Sequence, residues 1–508
     1  MKTTYLLAAA FLFSAGLVGC QKLNEDPRAS LTPGTYFKTQ SDLDASVAAI
    51  YQQFTVDGAY AFTNKSTSYF GADDLTTDPG LNKGDLRAFD QLNGSSANTS
   101  LVAQWQGAWT GIYQANNVIS NYQKVNSTDV LKNQSAGQAY FLRAWAYFNL
   151  VRTFGEVPVI DKTIDVNDRP DRSPVSDVYN LIISDLITAK RMLPVSFDGQ
   201  PGKANQLAAR SMLADVYLTT AGWPLKKTAN YALAAAEADT VIKSGKYSLL
   251  SDYAQVFTTN NNAESVFALQ FNVGGNSPNR SFGATTVPLD EIAADGSGGW
   301  DDMYPEINFF LNAPKCARTD ATFYTTLKLK QADNTFKLVA WDSPETHARH
   351  PYYKKFRAGV GDGVIETATT IQTINPSTNK ATDIIRYPLV LLDFAEASAM
   401  ASGGPTAESY TAINQVRTRA GLPNLTAGLS ATAFQDSVVK ERGYEFAGEF
   451  GIRWFDIVRL QILPQVNAAR SSSENPINAS SDLSTRYLAP IPINEMYRNP
   501  NWKQNPGY

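Results

Sequence analysis

Two pairs of adjacent carboxylates, Asp73–Asp74 and Asp301–Asp302, are the first groups in this chain whose type and spacing suit chemistry. A retaining glycosidase holds two carboxyls roughly 5 Å apart. Among 48 acidic residues many pairs meet that spacing by chance, so neither pair argues for hydrolysis. Both suit hydrogen bonds to sugar hydroxyls or oxygen ligation of Ca²⁺, and a solvated loop turn is their plainest role. A denser group, Glu441, Arg442, Glu445, Arg453, Asp456 and Arg459, is interleaved with Tyr444, Phe446, Trp454 and Phe455. An acid and a base could be drawn from it. Charges set so closely among rings are more simply paired with one another in a partly buried network. His347 and His350 would share a metal if they lay on a helix, but Pro351 follows at once and no Glu lies between them. No catalytic residue, metal or cofactor is therefore expected, and structural Ca²⁺ on the Asp-rich loops is not predicted. A nucleophile elbow is absent, and Gly359, Gly361 and Gly363 alternate without the frame of a phosphate-binding loop.

Aromatic side chains offer a different chemistry. The chain holds 24 Tyr, 25 Phe and 8 Trp; many must be core, and the rest are available as flat binding platforms. A pyranose ring presents an apolar C–H face and a rim of hydroxyls. It needs a ring beneath it and planar polar groups around it. Burying roughly 100 Å² on each of two platforms gives a gross ~5 kcal/mol at about 25 cal/mol per Å². Association entropy removes much of this, which leaves micromolar to millimolar binding, suited to capture and release. Trp300 follows Gly298-Gly299 in a segment without helical periodicity and is the expected platform, with Asp301 and Tyr304 beside it. Trp341, near Pro344, is the second choice. A further loop supplies Asp73, Asp74, Arg87, Phe89 and Asn93. Trp105, Trp109 and Trp145 fall on helical stripes and are assigned to the core.

The elements that must position these groups read as helices. Leu43, Val47, Ile50 and Phe54 recur at helical spacing, and Trp105, Trp109, Ile112, Asn116 and Ile119 form a second stripe. Residues 138–152 are apolar nearly all round, the pattern of a helix buried on several sides, stopped by Gly155 and Pro158. Ser173-Pro174 reads as a helix start with a capping hydroxyl, followed by Val178, Ile182, Leu186, Ala189 and Leu193 on one face. Further helices are expected at 209–217, 229–244, 388–402, 405–420 and 431–447. Short, paired and Ala-rich, they suggest tetratricopeptide-like hairpins. Residues 57–103 and 260–380 break the rhythm with Asp, Asn, Gly and Thr, and one strand is expected near 264–272. The fold class is thus mainly α, a helix-pair scaffold with long loops and a few short strands. Binding belongs on those loops.

Lys2 and the apolar run from Tyr5 to Val18, ending Gly19-Cys20, read as a lipoprotein signal peptide over 1–19, with cleavage before Cys20 and acyl chains on its sulfur and new amine. Residues 20–40 then form the acylated start and a tether. Residues 41–508 form one domain, with an N-terminal part to about 250 and a C-terminal part from about 260. Cys316 is left without a partner, so stability must come from packing. A net charge of −4 and the absence of a basic block exclude nucleic acid as the expected partner.

Three segments together resemble the SusD/RagB family: FLRAWAYFNLVRTFGEVPVI at 141–160, INQVRTRAGLP and KERGYEFAGEFGIRWFDIVRL within 413–460, and YLAPIPINEMYRNPNWKQNPGY at 487–508. With the lipobox and helix pairs, the resemblance spans nearly all of the mature chain. It implies a surface-facing lipoprotein of the outer membrane that captures oligosaccharide and covers a SusC-like TonB-dependent transporter, without catalysis. The rival readings are the same scaffold binding peptides, a helical glycoside hydrolase, and a protein-interaction scaffold without a small ligand.

Overall fold

The computed structural model describes residues 36–56, 66–78, 80–165, 168–271, 283–293, 296–357, 379–477 and 482–508. The expected signal peptide, tether and acylated Cys20 lie outside them. Helix α1 spans Gln40–Gln53 and is held at its start by a capping box between Thr39 and Asp42. Helix α2, Gly84–Asp90, lies inside a stretch expected to be loop. Helix α3, Thr99–Asn121, is capped by the Asn98 side chain, which accepts from the Leu101 amide at 3.0 Å. Helix α4, Asp129–Phe154, contains the all-round apolar segment and buries Phe141, Trp145, Tyr147 and Phe148 on several faces. It ends at Gly155, whose φ of +72° is open to glycine at little cost.

Helix α5, Val175–Met192, starts differently from expectation. Pro174 occupies the capping position and no side chain bonds the first turn. The Ser173 hydroxyl instead accepts from the Val159 amide at 3.2 Å, tying the helix entry to the chain leaving α4. Helices α6 (Gln206–Ala221) and α7 (Asn230–Lys243) follow, then α8 (Tyr387–Ala401), α9 (Ala407–Arg419), α10 (Ala431–Glu445) and α11 (Ile452–Leu460). Each packs on the next in space: α4 on α5, α5 on α6, α6 on α7, α7 on α8, and α8 on both α9 and α10. This is the expected tetratricopeptide-like stack of antiparallel pairs.

Between α7 and α8 the chain leaves the stack to build the loop-rich part. Strand β1 (Ser265–Leu269) pairs antiparallel with β6 (Thr382–Arg386), from Ser265 opposite Arg386 to Leu269 opposite Thr382. This two-stranded clamp closes the base of the insertion and runs directly into α8. Within the insertion, β2 (Phe323–Tyr324) pairs with β5 (Tyr352–Tyr353), and β3 (Thr326–Lys330) forms a hairpin with β4 (Phe336–Ala340).

The charged segment near α10 and α11 is a buried ion-pair network. Arg386 is 2% exposed. Its guanidinium reaches Glu264 at 3.0 Å, Glu445 at 3.0 Å and Glu449 at 2.8 Å. Arg318 bonds Glu441 at 2.6 Å and Glu445 at 3.0 Å. Arg442 bonds Asp456 at 2.7 Å, and Arg459 holds Glu396 through two contacts of 2.6 Å. Burial opposes ionisation of Glu445, but Arg419, Arg386 and Arg318 outweigh it and bring its pKa down to about 2. These carboxylates are consumed by cations that tie the clamp strands to the last helices, so they lock structure and offer no acid or base.

Candidate functional site

The two loops expected to bind separately form one surface. Thr76 and Tyr304 exchange backbone hydrogen bonds of 2.8 and 3.1 Å, and the Glu306 amide reaches the Asp73 carbonyl at 3.3 Å. The segment around Asp73 to Thr76 therefore lies against the segment around Tyr304 to Glu306. The His347 amide binds Asp290 Oδ2 at 2.9 Å, which brings in a third segment after β4.

Most of the side chains singled out there are buried or already paired. Asp73 forms a two-pronged ion pair with Arg453, at 2.7 and 2.8 Å. Asp74 is 2% exposed, and its Oδ2 accepts from the Gly448 amide at 2.8 Å. Burial, then the neighbouring Asp73 charge, pushes its pKa up to about 7. Arg87 donates to the Gly80 carbonyl, Phe89 is core, and only Asn93 is exposed. Asp302 is buried against Lys83. Tyr304 is sealed: its ring stacks on His350 at 4.5 Å and meets Tyr352 edge-on at 5.4 Å. Asp301 is likewise sealed, with Oδ1 accepting from Tyr352 at 2.7 Å. Tyr304, Asp301, Asp74 and Phe89 are thus corrected from ligand contacts to interior groups, because the loops fold onto each other and cover them.

Trp300 and Trp341 are half-buried. Trp300 packs on Ala284 and Val287, while Trp341 meets Phe310 edge-on at 5.7 Å. Gly299, directly before Trp300, has a role in backbone packing. A Cβ on Gly299 would lie 2.1 Å from the Val287 carbonyl oxygen and 2.3 Å from that of Pro288, so glycine is there to let two backbones touch. His347 and His350 do not converge. His350 Nε2 faces Glu474 at 2.9 Å, and His347 Nε2 faces Asp78 at 2.9 Å.

A second concavity escapes a sequence reading, because Trp105 and Trp109 fall on a helical stripe that reads as core. Trp105 and Trp109 sit one turn apart on α3, and Trp502 reaches them from beyond a terminal helix at Ile493–Arg498. Trp105 is 3% exposed and forms the floor. Its ring lies 5.7 Å from Trp109 and 6.4 Å from Trp502, both half-buried, making a continuous indole row. The cleft above them encloses about 660 Å³ and is rimmed by Gln106, Asp168, Arg169, Glu495, Arg498 and Asn499. That volume falls within the roughly 300–1,000 Å³ of ligand pockets. Its aromatic floor and amide, carboxylate and guanidinium rim are the complement of a sugar's two faces. The signal available in sequence was the second Trp-bearing segment near the C-terminus, but nothing local linked Trp502 to α3.

A family model described as the SusD family matches residues 318–508, and one described as starch-binding, associating with outer membrane, matches residues 25–218. The SusD-like protein P2 of Formosa agariphila is 28% identical over 97% of this chain and 97% of its own length. A SusD homologue from Bacteroides thetaiotaomicron superposes with a TM-score of 0.79 at 24% identity, over 94% of this chain and 98% of that one. Surface glycan-binding protein A from the same organism, solved in complex with laminarihexaose, superposes with a TM-score of 0.72 at 20% identity, over 93% and 100%. The two superpositions establish a shared fold.

Proposed function

Because the chain belongs to the SusD/RagB family, we propose that it is a surface lipoprotein that captures oligosaccharide and hands it, intact, to a SusC-like TonB-dependent transporter over which it acts as a lid. The observation that carries glycan capture is the tryptophan cleft: three indoles in a row beneath a planar polar rim. Trp109 and Trp502 supply the platforms, and Gln106, Arg169, Glu495 and Asn499 supply hydroxyl partners. Capture of laminarihexaose by a protein of the same fold supports the ligand class. The half-buried Trp300 is the second candidate platform, on the loop surface.

Anchoring through acylated Cys20 is the membrane attachment we propose. The family description places its members with the outer membrane, and among the described residues no helix is long and apolar enough to cross one. The Cys20→Ala chain should lose incorporation of labelled palmitate and partition to the soluble fraction; continued labelling would refute the anchor.

Calorimetric titration with laminarihexaose and a panel of plant and algal oligosaccharides tests capture. Micromolar to millimolar binding is expected for one or more, with Trp502→Ala weakening it roughly tenfold or more, in line with loss of one platform. Loss in Trp300→Ala alone would move the site to the loop surface. Binding of peptides with no glycan bound would refute the reading, as would chain shortening of a bound glycan on prolonged incubation.

A further inference from the structure

We propose that Asp78, Asp301 and His347 form a binding site for a first-row divalent cation of the zinc class, joining the three segments of the loop surface. One ligand atom from each residue lies within 4.8 Å of the other two. Ligands at about 2.0–2.2 Å around a tetrahedral metal sit roughly 3.3–3.6 Å from each other, so side-chain adjustments alone close the set. The residues come from separate parts of the chain: Asp78 from the segment before α2, Asp301 from the loop after β1, His347 from the turn after β4.

Asp301 supplies the independent observation. It is 0% exposed. Both of its donors, the Tyr352 hydroxyl at 2.7 Å and the Leu289 amide at 3.0 Å, go to Oδ1. Oδ2 is enclosed and has no hydrogen-bond partner. An enclosed carboxylate oxygen without a donor is costly unless a cation faces it.

Asp78 and His347 complete the arrangement. Asp78 is 4% exposed; its Oδ1 takes the Gly80 amide and its Oδ2 faces His347 Nε2 at 2.9 Å. A cation replaces the proton shared across that contact, leaving neutral imidazole as a nitrogen ligand. The existing bonds to Tyr352, Leu289 and Gly80 become the outer contacts that orient the two carboxylates. The His347 side chain is 42% exposed, so the fourth position opens to solvent or to a ligand hydroxyl. One imidazole and two carboxylates suit zinc, whereas Ca²⁺ takes six to eight oxygens and has no use for the ring.

The proposal stands without the glycan reading, since metal binding is measured with no sugar present. The full chain, stripped with chelator, is titrated with ZnCl₂ by calorimetry and, separately, with CoCl₂ while visible absorption is followed. One equivalent of Zn²⁺ is expected, with visible bands of low-coordinate Co²⁺. His347→Ala, at an exposed position, should fold normally, weaken Zn²⁺ at least about tenfold and abolish the bands. Asp301→Asn should do the same, and His350→Ala should bind Zn²⁺ as the parent does. Failure of the parent chain to bind, unchanged binding by His347→Ala, or Ca²⁺ competing on equal terms would each overturn it.

Discussion

Replacing Asp74 with Asn should stabilise the protein, by an amount that grows from nothing below about pH 4 to its full value above about pH 7. Asp74 is buried, its Oδ1 has no hydrogen-bond partner, and Asp73 lies beside it. Its pKa rises from 3.8 to about 7 on folding. The folded state therefore binds the proton more tightly than the unfolded chain. Below pH 4 both states are protonated and the group is neutral to stability. Between pH 4 and 7 the folded state progressively loses ground, and above pH 7 it carries the whole cost of a buried charge. At 1.36 kcal/mol per tenfold change in proton affinity, that cost is roughly 4 kcal/mol. Asn keeps a carbonyl oxygen for the Gly448 amide and carries no charge. With about 2.1 cal/mol/K of unfolding entropy per residue, a chain of this length melts with an entropy near 1 kcal/mol/K, so ~4 kcal/mol is ~4 °C. Differential scanning of both proteins from pH 4 to 9 should give coincident melting temperatures at the acid end and a gap that opens to a few degrees by pH 8. A gap independent of pH, or a variant that melts lower at pH 8, would refute the reasoning.

Arg386→Met strips Glu264, Glu445 and Glu449 of their shared cation and leaves Arg419, Arg318 and Lys355 to compensate. Breaking a buried pair this way costs about 3–5 kcal/mol, so the melting temperature should fall by a similar number of degrees; a fall below about 1 °C would show that the network is not what holds the clamp. Gly299→Ala drives a Cβ into two backbone carbonyls and should cost at least about 1–3 kcal/mol, with a red-shifted tryptophan emission as Trp300 is displaced. Gly298→Ala is the control, since its nearest atom lies at 3.5 Å and the substitution should be tolerated.

Nearly all of the scaffold was legible from the chain alone, because a helix is specified locally. Side chains three and four apart share a face, so the stripes through Leu43 to Phe54 and Val178 to Leu193 announce α1 and α5 without any knowledge of their neighbours. The all-round apolar run inside α4 likewise announced its central position, and the SusD/RagB resemblance was carried by contiguous segments. Where local reading failed, a distant group had intervened: Ser173 bonds Val159 instead of capping α5, and α2 forms in a polar stretch because Leu86 and Phe89 find a core to enter.

The site obeys other rules. Whether a tryptophan is floor or wall depends on what chain lies above it, and Trp105, Trp109 and Trp502 become a row only when the C-terminus returns to α3. Tyr304 and Asp301 read as surface groups by composition, yet the bridge to Thr76 closes over them. Asp78 and His347 are 269 residues apart and meet at 2.9 Å. Sequence alone determined the scaffold and its periodic faces, since those depend on near neighbours. Only tertiary structure decided which rings stay open and which acids meet a histidine, since burial and charge proximity are set by segments that sequence distance does not relate.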